Sequence, residues 1–144
     1  MSSETGTSTE TNKDLARAYF TAFLERDEAW WQRHIAPEFV RHDPGLNFAV
    51  HGPEGVRRLG EVLHGGVTEM RLPIDEVIAE GDRVLVRLRF QGRHTGDLMG
   101  LPASDRRIDI AVMDLFRIVD GRLVEHWALL DNLGLLKQVG ALPA

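Results

Sequence analysis

A chain of 144 residues with a net charge of -5, 43% hydrophobic and 27% charged residues, has the size and make-up of one globular domain that buries its own core. The acidic balance argues against a nucleic-acid partner, whose phosphates need a basic surface, and no apolar run approaches the roughly 20 residues that span a bilayer. The chain has no cysteine, which excludes disulfides, thiolate metal sites and a cysteine nucleophile, and makes a reducing, cytoplasmic setting the expectation.

The first dozen residues, MSSETGTSTETN, hold one apolar residue, the initiator methionine. Residues 1–12 are expected to form a disordered tail ending in a helix cap at Thr11 or Asn12, and they lack the apolar stretch of a signal peptide. The folded domain is then residues 13–144. From Asp14 to Glu25, Leu15, Ala18, Tyr19, Ala22 and Phe23 recur at helical spacing. A second short helix is expected from Asp27 to about Ile35, carrying Trp30 and Trp31, with Pro37 closing it. The segment Phe39 to Pro44 reads as extended and turns at Pro44-Gly45. Gly52-Pro53-Glu54 opens a third helix, with Val56, Leu59, Val62 and Leu63 inward and the Gly65-Gly66 pair at its end.

After Met70 the period changes to two, giving four strands at about Arg71–Glu80, Arg83–Thr95, Arg106–Val119 and Arg122–Leu130. Gly81-Asp82 and Asp120-Gly121 mark tight turns between strands. Gly96 to Asp105 is a longer loop, and Leu135 to Val139 a short terminal helix or coil. Helices first and a strand meander afterwards define an α+β domain, a curved antiparallel sheet with one apolar face covered by the N-terminal helices.

Strand alternation then isolates the polar residues that point inward. His94 follows Val84, Val86, Leu88 and Phe90 on one face. Asp114 interrupts the aliphatic row Ile108, Ile110, Val112, Phe116 and Ile118, where burying an unpaired carboxylate costs on the order of several kcal/mol. In the last strand Val124, His126, Ala128 and Leu130 share a face opposite Leu123, Glu125, Trp127 and Leu129. The period alone does not say which face is inward; the His126 face is assigned to the cavity. His42, at the approach to the sheet, is a fourth candidate. Each has a packing alternative: an inward histidine can be a satisfied core residue, Asp114 a structural partner for an arginine or His94, Trp30 and Trp31 simple packing. His42, His94, Asp114 and His126 together point to an enclosed small-molecule pocket with acid/base capacity. No two histidines stand three or four apart as a metal pair would, and phosphate-loop, dinucleotide and Gly-x-Ser-x-Gly patterns are absent.

Five blocks carry a resemblance: Phe39-Val40-Arg41-His42-Asp43-Pro44, Ile78-Ala79-Glu80-Gly81-Asp82-Arg83-Val84, Gly92-Arg93-His94-Thr95-Gly96 with Met99-Gly100-Leu101-Pro102, Asp114-Leu115-Phe116-Arg117-Ile118, and Glu125-His126-Trp127 with Asp131 and Gly134-Leu135-Leu136. With these the chain resembles the SnoaL-like polyketide cyclases, or ester cyclases, of the ketosteroid-isomerase-like and nuclear transport factor 2-like superfamily. The resemblance implies a cone-shaped curved sheet wrapped on N-terminal helices around a deep apolar pocket. It also implies ring closure by intramolecular aldol condensation without metal or organic cofactor, an acidic side chain moving the proton. The family pattern continues Glu-His-Trp-Asp, with that aspartate as acid/base; here it reads Glu125-His126-Trp127-Ala128. Two functions follow. One is a cofactor-independent cyclase or isomerase of a hydrophobic carbonyl compound, with Asp114 or His126 as proton carrier and with His42, His94, Trp31, Asp131 and Ala128 at the substrate. The other is a non-catalytic protein that binds a small hydrophobic ligand. Relatives pair through the outer sheet face, so a homodimer is expected.

Overall fold

The computed structural model describes residues 2–144, with side chains from Thr9 onward. Helix α1 spans Ser2–Glu25, so Thr11 and Asn12 lie within it and do not cap it. No proline or glycine between Thr9 and Lys13 interrupts the helix, and Lys13 pairs with Glu10 one turn back at 3.5 Å. Met1 and the side chains of residues 1–8, most of the expected tail, lie outside the described residues. Helix α1 buries Ala16, Tyr19, Phe20, Ala22 and Phe23, the stripe that 3.6-residue periodicity selects, against the sheet.

Helix α2 (Glu28–His34) begins where the Asp27 side chain accepts the Trp30 amide and ends at Ile35 in extended conformation. Strand β1 (Ile35–His42) follows at once, and Pro37 sits inside it. The strand thus starts earlier than the extended segment read from Phe39. Strand β2 (Val50–His51) and helix α3 (Gly52–Gly66), with proline in its first turn, come next.

The expected strand at Arg71–Glu80 is two strands, β3 (Val67–Arg71) and β4 (Ile74–Glu80), broken at Leu72-Pro73. Both pair with one edge of the long β5 (Arg83–His94). Gly92 permits this crowding, because a Cβ there would stand 2.3 Å from Val67 Cγ1. Strands β6 (Arg107–Val119) and β7 (Arg122–Leu130) complete the meander. Their hairpin turn has positive φ at both Asp120 and Gly121, as a turn matched to strand twist requires. The seven strands form one sheet in the order β2-β1-β7-β6-β5-β3, with β4 beside β5. All pairs are antiparallel except β1 with β7, a parallel pair that the expectation of an antiparallel sheet did not contain.

Helix α4 (Asn132–Gln138) is capped by Asp131 and lies on β6. The concave face of the sheet supplies Val84, Val86 and Leu88 from β5 and Ile108, Ile110 and Phe116 from β6, as alternation predicts. Each such side chain contributes about 1.5–3 kcal/mol by leaving water. No described helix is long and apolar enough to cross a membrane.

Candidate active site

Asp114, in the middle of β6, is 3% exposed, and its Oδ1 has no hydrogen-bond partner among the described residues. Across the β6–β7 ladder Asp114 is paired with Ala128 and Phe116 with His126, which makes Asp114 and His126 diagonal neighbours. His126 Nε2 lies 3.4 Å from Asp114 Oδ1, too poorly aligned for a hydrogen bond, and both ring nitrogens are unpartnered. The ring is fully buried, stacked on Phe116 at 4.1 Å between centroids and edge-on to Tyr19 at 5.5 Å. The His126 face of β7 is therefore the inner one, as assigned. Leu123 is buried on it as well, which corrects its expected place beside Glu125 and Trp127. The register slips between Arg117 and Ile118, and this irregularity breaks the alternation.

Three further polar residues reach this interior: Tyr19 from α1, Arg41 from β1 and Asp43 just beyond it. Phe39, Arg41 and Asp43 alternate with the outward-facing His42. Arg41 donates to Asp43 Oδ2 from Nε at 3.1 Å and from Nη2 at 2.8 Å, and the two side chains are only 8% and 6% exposed. The Tyr19 hydroxyl, with Arg41 beside it, has no aligned hydrogen-bond partner among the described residues. Sequence reading missed all three. The signal was present: an inward period of two through Phe39, Arg41 and Asp43, and a tyrosine on an otherwise apolar helix stripe.

The electrostatics follow from burial. Loss of water pushes the His126 imidazole below its usual pKa; Asp114 opposes that shift and Arg41 adds to it. Burial raises the Tyr19 phenol to about 12, against a lowering by Arg41. Burial would lower Arg41, but Tyr19, Asp114 and Asp43 outweigh it and hold its guanidinium above its usual value. The cluster thus combines a carboxylate, a neutral imidazole and two persistent donors. Among the described residues, no group of three histidine, aspartate or glutamate side chains is placed to hold a metal ion.

Tyr19, Arg41 and Asp114 line a cavity with about 40 Å³ of room for the centre of a water molecule. A second cavity of the same size adjoins it through Arg41, Leu63, Phe90 and Leu130. That cavity in turn shares Gly45, Leu98, Met99, Asn132 and Leu135 with an outer hollow of about 330 Å³ under α4. The cavities thus adjoin one another from the inner one to the outer hollow, with Arg41, Phe90 and Leu130 shared by the inner two.

Of the other expected site residues, His42, His94, Trp31 and Asp131 do not line the inner cavity. His42 is on the outer sheet face, bonded to Glu125 at 2.7 Å and stacked on Trp127. His94 is buried but satisfied, with Nδ1 2.8 Å from Ser104 Oγ and Nε2 3.2 Å from the Leu101 carbonyl, and it pins the β5–β6 loop. Trp31 is buried, its indole nitrogen unpartnered, and it does not line the described cavities. Asp131 caps α4, accepting the Gly134 amide at 2.9 Å. Ala128 is buried opposite Asp114.

A half-closed sheet cupping ionisable residues beneath helices defines the cone class of small α+β proteins. Within that class the chain belongs to the SnoaL-like polyketide cyclase family, whose model matches residues 13–139. It is 33% identical over 109 residues to the aklanonic acid methyl ester cyclase DnrD of Streptomyces peucetius, covering 74% of this chain and 72% of that protein. It is 34% identical over 109 residues to the nogalonic acid methyl ester cyclase of Streptomyces nogalater, covering 74% of this chain and 81% of that one. The structure of TsrD from Streptomyces laurentii superposes with a TM-score of 0.81 at 32% identity, covering 92% of this chain and 97% of that chain.

Proposed function

We propose that the protein is a cofactor-independent acid/base enzyme that cyclises or isomerises a hydrophobic polyketide-like carbonyl compound, with Asp114 as proton carrier. The observation that carries this reading is the unpartnered carboxylate oxygen of Asp114 at the inner cavity, beside a fully buried His126. Asp114 removes the proton next to a carbonyl, and the enolate attacks a second carbonyl of the same molecule. A carbon–carbon bond forms, and protonated Asp114 returns its proton to the alkoxide. Nothing is gained or lost, so the cycle needs no redox or group-transfer partner. His126, favoured in its neutral form by burial, keeps a second polar group beside the carboxylate without adding positive charge. The kinship with two methyl ester cyclases supports polyketides as the substrate class.

The test is α-proton exchange of aryl β-keto esters in D2O, followed by proton NMR. The wild-type protein is expected to accelerate exchange and Asp114→Asn to slow it at least about 100-fold with unchanged circular dichroism. Undiminished exchange in folded Asp114→Asn removes Asp114 from the mechanism. A wild-type protein that binds these esters without exchanging them is a binding protein, the reading that Ala128 favours.

Ile78, Met113 and Leu129 stand 53%, 46% and 61% exposed on the outer sheet face, an apolar surface suited to pairing two copies as a homodimer. A cytoplasmic setting accords with a chain that has no cysteine.

A further inference from the structure

We propose that Tyr19 and Arg41 form an electrophilic pair that holds the oxygen of a neutral ketone or ester carbonyl while Asp114 deprotonates the adjacent carbon, and that the site rejects free carboxylates. This inference rests on Asp114 as the base. Tyr19, Arg41 and Asp114 line one cavity, so both donors and the acceptor border the space a carbonyl group would enter.

Packing does not explain the Tyr19 hydroxyl. Its ring meets Phe20, Phe116 and His126, contacts a phenylalanine would make equally, yet the residue is 2% exposed and its hydroxyl, with Arg41 beside it, has no acceptor for its proton among the described residues. A buried hydroxyl whose proton has no acceptor costs about 1–3 kcal/mol, so an oxygen arriving from a ligand recovers what the fold alone forfeits. Arg41 is fixed rather than idle. Its aligned hydrogen bonds run from Nε and Nη2 to one oxygen of Asp43. Such a fixed donor needs little reorganisation as charge develops, which is the condition for electrostatic stabilisation of an oxyanion. The phenol stays protonated to about 12, so it remains a donor throughout the working range.

When Asp114 takes the α-proton, the C–H electron pair becomes the C=C of the enolate. The carbonyl π pair moves onto the oxygen between Tyr19 and Arg41. Charge selects the substrate. Arg41 supplies one positive charge against the carboxylates of Asp43 and Asp114, so the resident charge is already negative. A ligand carboxylate adds a second uncompensated charge in a region of low dielectric, whereas a neutral carbonyl becomes charged only as Asp114 is neutralised.

Tyr19 is the one tyrosine of the chain, so a carbon-13 label at its phenolic carbon gives a single NMR signal. The probe is p-nitrophenolate, an oxyanion conjugated like an enolate, with its absorbance reporting the ionised form. Expected is binding about tenfold tighter to Asp114→Asn than to wild type, with a shift of the Tyr19 signal. In the Asp114→Asn background, Tyr19→Phe and Arg41→Lys are each expected to weaken binding about tenfold. In wild type, methyl benzoate moves the Tyr19 signal and benzoate does not. Tyr19→Phe removes one unpartnered oxygen and keeps the ring, so it remains decisive if Arg41→Lys fails to fold. Equal affinity in Tyr19→Phe with an unmoved Tyr19 signal overturns the pair, as does the absence of binding at millimolar probe. If Asp114→Asn keeps full proton exchange while the phenolate still seats on Tyr19 and Arg41, the base assignment fails and the pair stands.

Discussion

Asp114 of β6 and Ala128 of β7 face one another across an antiparallel ladder, both buried. Directly opposed residues hold their Cβ atoms about 4.5–5.5 Å apart, so a carboxylate on either strand enters the same inner volume. The methyl group of Ala128 leaves that volume to Asp114, which in the proposed mechanism supplies the acid that the Glu125-His126-Trp127-Ala128 stretch lacks.

Ala128→Asp is accordingly expected to destabilise the protein by about 1–3 kcal/mol in denaturant unfolding, because it buries two opposed carboxylates. Combined with Asp114→Ala it is expected to regain stability and part of the proton exchange. An unchanged midpoint in the single variant means that the two positions do not share a volume.

Stability is expected to depend on pH through His126. Its folded pKa lies below the unfolded value of about 6.5, so between the two the unfolded chain binds a proton that the folded chain does not. The contribution is fully present above pH 6.5 and is lost as pH falls, with a slope approaching about 1.4 kcal/mol per pH unit. His126→Phe keeps the stack on Phe116 and cannot take the proton. Unfolding free energies at pH 7.5 and 5.0 are expected to converge in that variant, and an equal loss in both proteins refutes the assignment.

Removing the arginine of the buried Arg41–Asp43 pair leaves an uncompensated carboxylate. Arg41→Met is expected to cost about 3–5 kcal/mol, and the Arg41→Met/Asp43→Asn double variant clearly less. Additive losses in the cycle show that the pair is not coupled.

His94 is expected to matter for the β5–β6 loop rather than for chemistry. His94→Ala removes its bonds to Ser104 and Leu101, with an expected cost of about 2–4 kcal/mol and faster amide exchange between residues 95 and 106. A large fall in proton exchange with unaltered loop protection places His94 at the substrate instead.

Leu129→Glu puts a charge into the exposed apolar surface of the outer sheet face. Light scattering is expected to report a dimer for wild type and a monomer for the variant, and a monomeric wild type removes the pairing proposal.

The sequence by itself determined the α+β class, three of the long strands to within a residue or so, and the inward places of His94, Asp114 and His126. These depend on local periodicity, and a period of two survives any detail of packing. The family resemblance, rather than the period, singled out Ala128, where the family pattern has an aspartate. Tertiary structure decided which of these residues form a site. His94 found its partners in a loop that closes over it, and His42 turned outward on the same strand that turns Arg41 inward. The parallel pairing of β1 with β7 brought Arg41 and Asp43 to the interior with His126, and the slip beyond Arg117 turned Leu123 inward. Contacts between residues some 80 positions apart carry no periodic signature, so the Tyr19, Arg41 and Asp114 constellation exists only once the sheet has curled around α1.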